Sequence, residues 1–299
     1  MAELVLQQLI SGLAIGMSYA LIAIGYSMVY GILKFINFGH GAVYMVGTYI
    51  GFFAWLFLIN YLTVWPAFIL ALVLAMAGAA VFGVLMEKVA YKPIRGRSRL
   101  TTFMSSLGVS FFITYFMEFL VGAEPRPTPS LFPGVRFHVG GAIVTGMQIF
   151  MMVVMVAAVL ALSWFVKYTR MGKSIRACSE DIGAAYLMGV NLNNAISVTF
   201  AIGSGLAAMA GILIGIYYSA IYPTMGWIAG LKGFVAAVTG GIGSIPGAML
   251  GGLLLGMAEN LGAGFVASGY RDAIAFVVLI VVMLFRPMGI IPKEQRSSL

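Results

Sequence analysis

Few residues in this chain can do chemistry, and three short stretches set the questions their types and spacing raise. The first, KYTRMGKSIRACSEDIGAAYLMGVN at 167–191, gathers Lys167, Arg170, Lys173 and Arg176 with Glu180 and Asp181. Its GKS at 172–174 has the form of a phosphate-binding loop's tail. Such a loop needs G-x-x-x-x-G-K-S/T after a buried strand, so that successive backbone N–H groups wrap the phosphates. The first glycine would fall at position 167, which is Lys167, and a long apolar run precedes it. With no second nucleotide motif in the sequence, ATP hydrolysis by this chain is set aside. The second stretch, INFGHG at 36–41, holds Asn37 and His40 beside Gly39 and Gly41. The third is TGGIGSIPGAMLGG at 239–252, followed by Glu259 and Asn260.

The surroundings decide what these groups can do. Hydrophobic residues make up 62% of the chain and charged ones 9%, against roughly 25% charged in soluble domains. Mean hydropathy is +1.03. Apolar runs fall near 8–32, 42–60, 66–86, 101–121, 147–166, 194–217, 229–265 and 273–286. About 20 apolar residues cross a bilayer as a helix, and the short alternating segments of a membrane β-barrel are missing. The expected fold is an all-α polytopic membrane protein with about eight transmembrane segments, in a single transmembrane domain over 1–299. The 38 glycines suit close helix approach.

The net charge of +8 follows from topology, not from a nucleic-acid partner. Lys88, Lys92, Arg95, Arg97 and Arg99 crowd one connection, Lys167, Arg170, Lys173 and Arg176 another, and Arg286, Lys293 and Arg296 the C-terminus. The positive-inside bias places all three in the cytoplasm, with cytoplasmic loops at about 87–100 and 167–193 and a periplasmic loop at about 122–146. Counting back puts the N-terminus outside, and MAELVLQQ has no basic residue and no signal-peptide pattern. The parity then closes only if 229–265 enters and returns to the same side. The glycines and proline of 239–252 cannot continue a helix, so a re-entrant break is expected at Gly240–Gly247, including Gly241 and Gly243. Irregular backbone at membrane depth lies within protein or along a polar cavity. Gly39–Gly41 and Gly243–Gly247 each precede a small-residue helix, and paired Gly-interrupted segments point to a transport site.

Within 167–191, Ser179 is placed to cap a short amphipathic helix with Glu180 and Asp181 in its first turn. Gly189 would end it in a left-handed turn. Ile182, Ala185 and Met188 would share one face, beside Ala184, and form a smooth apolar docking surface. The alternative is a solvated loop.

GAAYLMG at 183–189 is similar to the cytoplasmic EAA loop of ATP-binding-cassette importer permeases, with Gly183 where that loop has Glu. INFGHG, RMGKSIRACSED, AAYLMGVN and AAVTGGIGSIPGAMLGGLLLG, taken in order from about Leu9 to Gly289, resemble the Liv-type branched-chain amino acid permeases, the shorter of the two paired kinds. The resemblance implies a permease subunit of an ATP-driven importer in the bacterial inner membrane. Its partners would be a paralogous permease, two ATPase subunits and a periplasmic amino-acid-binding protein. ATP and Mg would sit on the ATPase, so this chain would be no enzyme and bind no cofactor. Ser179, Glu180, Asp181, Ala184, Ala185, Met188 and Gly189 would form the coupling helix. Many relatives carry an acid where this chain has Ala42.

Other polar residues have two readings each. Asn37 and His40 either line a pathway with Gly41 or cap a helix, and Glu259 serves either a pathway or an interfacial pair. Arg271 and Asp272 either help seat an external binding protein or, as read first, form a helix-end ion pair. Cys178 is the single cysteine, so no internal disulfide exists, and the 20 methionines are expected to pack and not to bind metal. Two rivals stand beside the importer: a permease for urea or short amides, and a proton-coupled secondary transporter relaying through His40 and Glu259.

Overall fold

In hydrocarbon each backbone N–H and C=O must be satisfied within its own segment, which apolar runs achieve as α-helices. The computed structural model describes residues 1–291, apart from the side chains of Ala2 and Arg99. Lys293 and Arg296, assigned above to a basic C-terminal cluster, lie outside the described residues. The helices are α1 (Ala2–Leu33), α2 (Gly39–Leu58), α3 (Val64–Met86), α4 (Arg99–Val121), α5 (Gly146–Tyr168), α6 (Arg170–Glu180), α7 (Ile182–Leu187), α8 (Leu192–Tyr217), α9 (Met225–Gly240), α10 (Ile245–Phe265) and α11 (Arg271–Phe285). Among the described residues eight helices are long and apolar enough to cross a membrane: all of these except α6, α7 and the shorter α9. The apolar run 229–265 therefore falls within two helices, α9 and α10.

The connections sort to two ends of the bundle. At one end, Arg95 donates to the Asn193 side chain at 2.9 Å and Lys34 to the Ser179 carbonyl at 3.4 Å. Gly243 lies against Tyr30 and Gly31 there, and the Ile290 and Ile291 amides donate to the Thr239 and Gly240 carbonyls. At the other end, strand β1 (Arg126–Pro127) pairs with β4 (Ala220–Ile221), and β2 (Arg136–Val139) with β3 (Ala142–Thr145). The Gln7 side-chain amide clamps α1 to this second hairpin, donating to the Ile143 carbonyl at 3.0 Å and accepting from its N–H at 2.7 Å. The N-terminus and residue 291 thus lie at opposite ends.

Helices α1, α2 and α8 are buried over most of their length, while α4, α5 and α11 turn most of their apolar surface outward. The most extensive pair is α1 with α10. It closes through Gly12, Gly16, Gly252 and Gly256, where any Cβ would meet the facing backbone. Removing side chains at the crossing lets the backbones approach and gain dispersion contact over a long seam.

Candidate functional site

At the end that carries 87–97 and 170–193, polar caps fix each turn. Thr169 accepts from the Gly172 amide at 3.0 Å, Asp181 from Ala184 at 2.9 Å, and Asn191 from Asn194 at 3.1 Å. The capping expectation is corrected here. Ser179 and Glu180 belong to the last turn of α6, where the Ser179 hydroxyl donates to the Arg176 carbonyl at 2.7 Å. The cap of α7 is Asp181, whose extended backbone separates the two helices and aims its carboxylate at the first turn of α7.

Gly189 has φ +80°, with its amide on the Tyr186 carbonyl and the Val190 amide on that of Ala185. This left-handed ending satisfies two carbonyls that a helix terminus would otherwise leave free. The expected apolar face is also rearranged. Ala185 is buried against its own chain, whereas Leu187 and Met188 are 85% and 84% exposed and Tyr186 projects beside them. Ala184 is exposed too. Beside α7 a cleft of about 960 Å³ is lined by Lys34, Arg95, Arg97, Tyr186 and Asn193. Cys178 is buried on the inward face of α6, and burial pushes its thiol up from the ordinary range.

The turn 34–38 climbs back into the bundle before α2 begins. Lys34 takes a left-handed backbone (φ 55°), and Asn37 and His40 are both buried. Asn37 accepts from the Tyr91 hydroxyl at 2.6 Å. The His40 ring packs edge-on to Tyr26 with centroids 4.9 Å apart, against Gly25. Gly41 meets α9 backbone to backbone: a Cβ there would overlap the Gly226 carbonyl oxygen and stand 3.0 Å from the Gly230 Cα.

At the second break α9 stops at Gly240, Gly241 and Gly243 have φ +113° and +92°, and Ser244 caps α10 through the Gly247 amide at 3.2 Å. Gly240 and Gly247 pack face to face, and a Cβ on Gly247 would stand 2.6 Å from the Gly240 carbonyl oxygen.

Glu259 lies elsewhere, toward the opposite end. It is buried and accepts from the Tyr19 hydroxyl at 2.9 Å and from the Lys232 ammonium at 3.1 Å. Lys232 also pairs with Asp272 at 2.8 Å. Asp272 therefore pairs with α9, not with Arg271 as first read, because α11 starts directly over Lys232. Beside this cluster a cavity of about 340 Å³ is lined by Ser18, Tyr19, Tyr44, Tyr218, Tyr222 and Lys232, with Ile15, Ile22, Ile214 and Ile228 among its apolar walls. Burial pushes the Tyr218 phenol up, against the pull of its hydrogen-bonded neighbour Arg271, so it remains a neutral donor.

The expected residues thus form three groups and not one: Asn37, His40 and Gly41 at the first break; Gly240, Gly241, Gly243 and Gly247 at the second; and Glu259 with the ion cluster. His40 and Glu259 share no hydrogen-bond partner, and Glu259 is held by a lysine. Sequence reasoning missed Lys232, although a lone lysine within MGWIAGLKGFVAAV is the signal that an intramembrane acid has its counter-ion. It also missed the buried Glu87, held by Arg95 and, at 3.0 Å, by Ser197.

The chain matches the family described as "Branched-chain amino acid transport system / permease component" over residues 8–283. It is 44% identical to the high-affinity branched-chain amino acid transport system permease protein LivH of Escherichia coli, covering 97% of this chain and 96% of that one. It is 46% identical, with the same coverage, to BraD of Pseudomonas aeruginosa, which carries the same description. A probable branched-chain amino acid transport permease of Methanocaldococcus jannaschii is 26% identical over 90% of this chain and 87% of its own. With eight membrane-length helices and a match over nearly its whole length, this chain is a multi-pass membrane protein that belongs to the branched-chain amino acid transport system permease family.

Proposed function

We propose that this chain is the permease subunit of an ATP-driven importer that carries leucine, isoleucine and valine across the bacterial inner membrane. The observation that carries this reading is the 44–46% identity, over 97% of the chain, to permeases described as high-affinity branched-chain amino acid transporters. In this reading the end bearing Lys88, Lys92, Arg95, Arg97, Lys167, Arg170, Lys173 and Arg176 faces the cytoplasm. The opposite end faces a substrate-binding protein. A paralogous permease completes the membrane unit, and two ATPase subunits hold ATP and Mg. Helix α9, about 24 Å long at 1.5 Å per residue, falls short of the ~30 Å hydrocarbon core. With α10 it forms the re-entrant pair, and the breaks at Asn37–Gly41 and Gly240–Gly247 flank the part that moves.

Helix α7 is the coupling helix, and its docking face is Tyr186, Leu187 and Met188. An apolar face kept in water by a capped helix and a left-handed stop gains free energy only when a partner covers it. The test is co-purification of the ATPase with Leu187→Asp, Met188→Asp and the double variant. Loss of the ATPase from a correctly inserted permease is expected, with import falling in parallel. Normal ATPase recovery with the double variant sinks the assignment. These exposed positions test docking more cleanly than Ala185→Asp, which would put a charge into the chain's own packing.

A further inference from the structure

Lys232 is built unlike a simple structural ion pair. Its ammonium holds two carboxylates, the buried Glu259 at 3.1 Å and Asp272 at 2.8 Å. The Asp272 side chain is 61% exposed, so one arm of the cluster is enclosed by the chain and the other is open at its surface. Glu259 is held a second time by Tyr19, and its other oxygen is buried without a hydrogen-bond partner. Lys232 also lines the 340 Å³ cavity. That volume is near the small end of ligand sites, roughly 300–1,000 Å³. Apart from Lys232, the lining offers hydroxyls and apolar side chains.

Resting on the amino-acid reading above, we propose that the Lys232–Asp272 pair is the docking site for the zwitterionic head of the transported amino acid. The α-carboxylate displaces Asp272 from Lys232, and the α-ammonium takes the freed Asp272 carboxylate. One ion pair becomes two, and the net charge of the site is unchanged. Glu259 and Tyr19 keep the ammonium in place during the exchange, while the aliphatic side chain enters among Ile15, Ile22, Ile214 and Ile228. Asp272 opens α11 and Lys232 lies on α9, so insertion of the head parts these helices at the outer end. A neutral amide lacks the charges to make the exchange, which adds a selective step inside the membrane unit.

The test uses the assembled importer in lipid nanodiscs without its external binding protein. Displacement of radiolabelled leucine is measured with leucine, with leucinamide, which lacks the carboxylate, and with 4-methylpentanoate, which lacks the ammonium. Each analogue should bind roughly 10- to 100-fold more weakly than leucine, the range for losing a charged hydrogen bond. Lys232→Met should erase the leucinamide penalty and keep the other. Asp272→Asn should erase the 4-methylpentanoate penalty and keep the first, and Lys232→Arg should keep both. If Lys232→Met fails to assemble, Asp272→Asn, at an exposed side chain, decides alone. Unchanged penalties in the variants that assemble overturn the proposal, as does a wild-type sample that binds no leucine. Leucine uptake by that same sample, once the binding protein is restored, then shows that the substrate assignment survives without this site.

Discussion

Gly41→Ala adds one methyl group at the contact between the first break and α9. Its Cβ would overlap the Gly226 carbonyl oxygen and lie 3.0 Å from the Gly230 Cα. Both are backbone atoms, so no rotamer change clears them. Carbon atoms pack best at about 3.5–4.0 Å, so the Gly230 contact alone forces α2 and α9 apart by roughly 0.5–1 Å. Overpacking costs about 1–3 kcal/mol, and a backbone-on-backbone clash belongs at the upper end. Gly108→Ala in α4 is the control. Nothing lies within 4 Å of its Cβ position, and alanine within a helix is favoured over glycine by roughly 0.5–1 kcal/mol. The two variants add the same atom and should move stability in opposite directions. The assay is the fraction of folded permease left after graded heating in detergent, read by size exclusion, together with leucine import. Gly226→Ala meets the Gly41 carbonyl from the other side, so the double variant should lose less than the sum of the singles. Equal heat stability and import for Gly41→Ala and Gly108→Ala would show that this glycine contact sets neither packing nor transport.

Arg95→Ala removes one of two partners of the buried Glu87. Breaking a buried pair costs ~3–5 kcal/mol, but Arg95 is partly exposed and Ser197 still donates, so about 2–3 kcal/mol is expected in thermal unfolding. Arg95→Ala,Glu87→Gln should recover part of it, and no recovery would show that the charge of Glu87 is not what needs Arg95. Cys178, buried with its thiol pushed up, carries less thiolate at any given pH than a free cysteine. Maleimide labelling of the folded importer should therefore be slow at neutral pH, with its rise displaced to higher pH, and fast after denaturation. Labelling at the free-thiol rate in the folded protein contradicts this burial.

The bundle was legible because the bilayer allows so few solutions. Each apolar run had to close its own hydrogen bonds as a helix, and the clustered lysines and arginines grouped the loops that meet at one end. Glycine and proline at 239–252 marked a break, but the structure confines it to 241–244. Gly240 still ends α9, and Pro246 and Gly247 stand in the first turn of α10, where a proline needs no N–H partner. Side-chain partnerships were far less legible. Whether Ser179 or Asp181 caps α7 depends on where α6 stops, and cap residues stood at both positions. Ala185 reads as part of a docking face by helical spacing, yet the direction in which α7 presses on its own chain is a tertiary fact. The partner of Glu259 lies 27 residues away on a different helix, a separation that no local period encodes.

Those partnerships converge on α9. Near its start Gly226 and Gly230 touch the first break, at its middle Lys232 joins α10 and α11, and at its end Gly240 packs on Gly247 while Thr239 and Gly240 accept from Ile290 and Ile291. A 16-residue helix fastened at every third of its length cannot shift without moving its neighbours. The links differ in what they tolerate. The glycine contacts are steric and fail with one added methyl, whereas the Lys232–Asp272 pair can exchange a carboxylate for another. The Lys232–Asp272 link is therefore the one the proposed ligand exchange would rewrite, and the glycine contacts would pass the resulting shift to the two breaks. Gly41→Ala should then impair import even where Lys232 still discriminates leucine from leucinamide. Intact import in a Gly41→Ala permease with wild-type discrimination would disconnect the two.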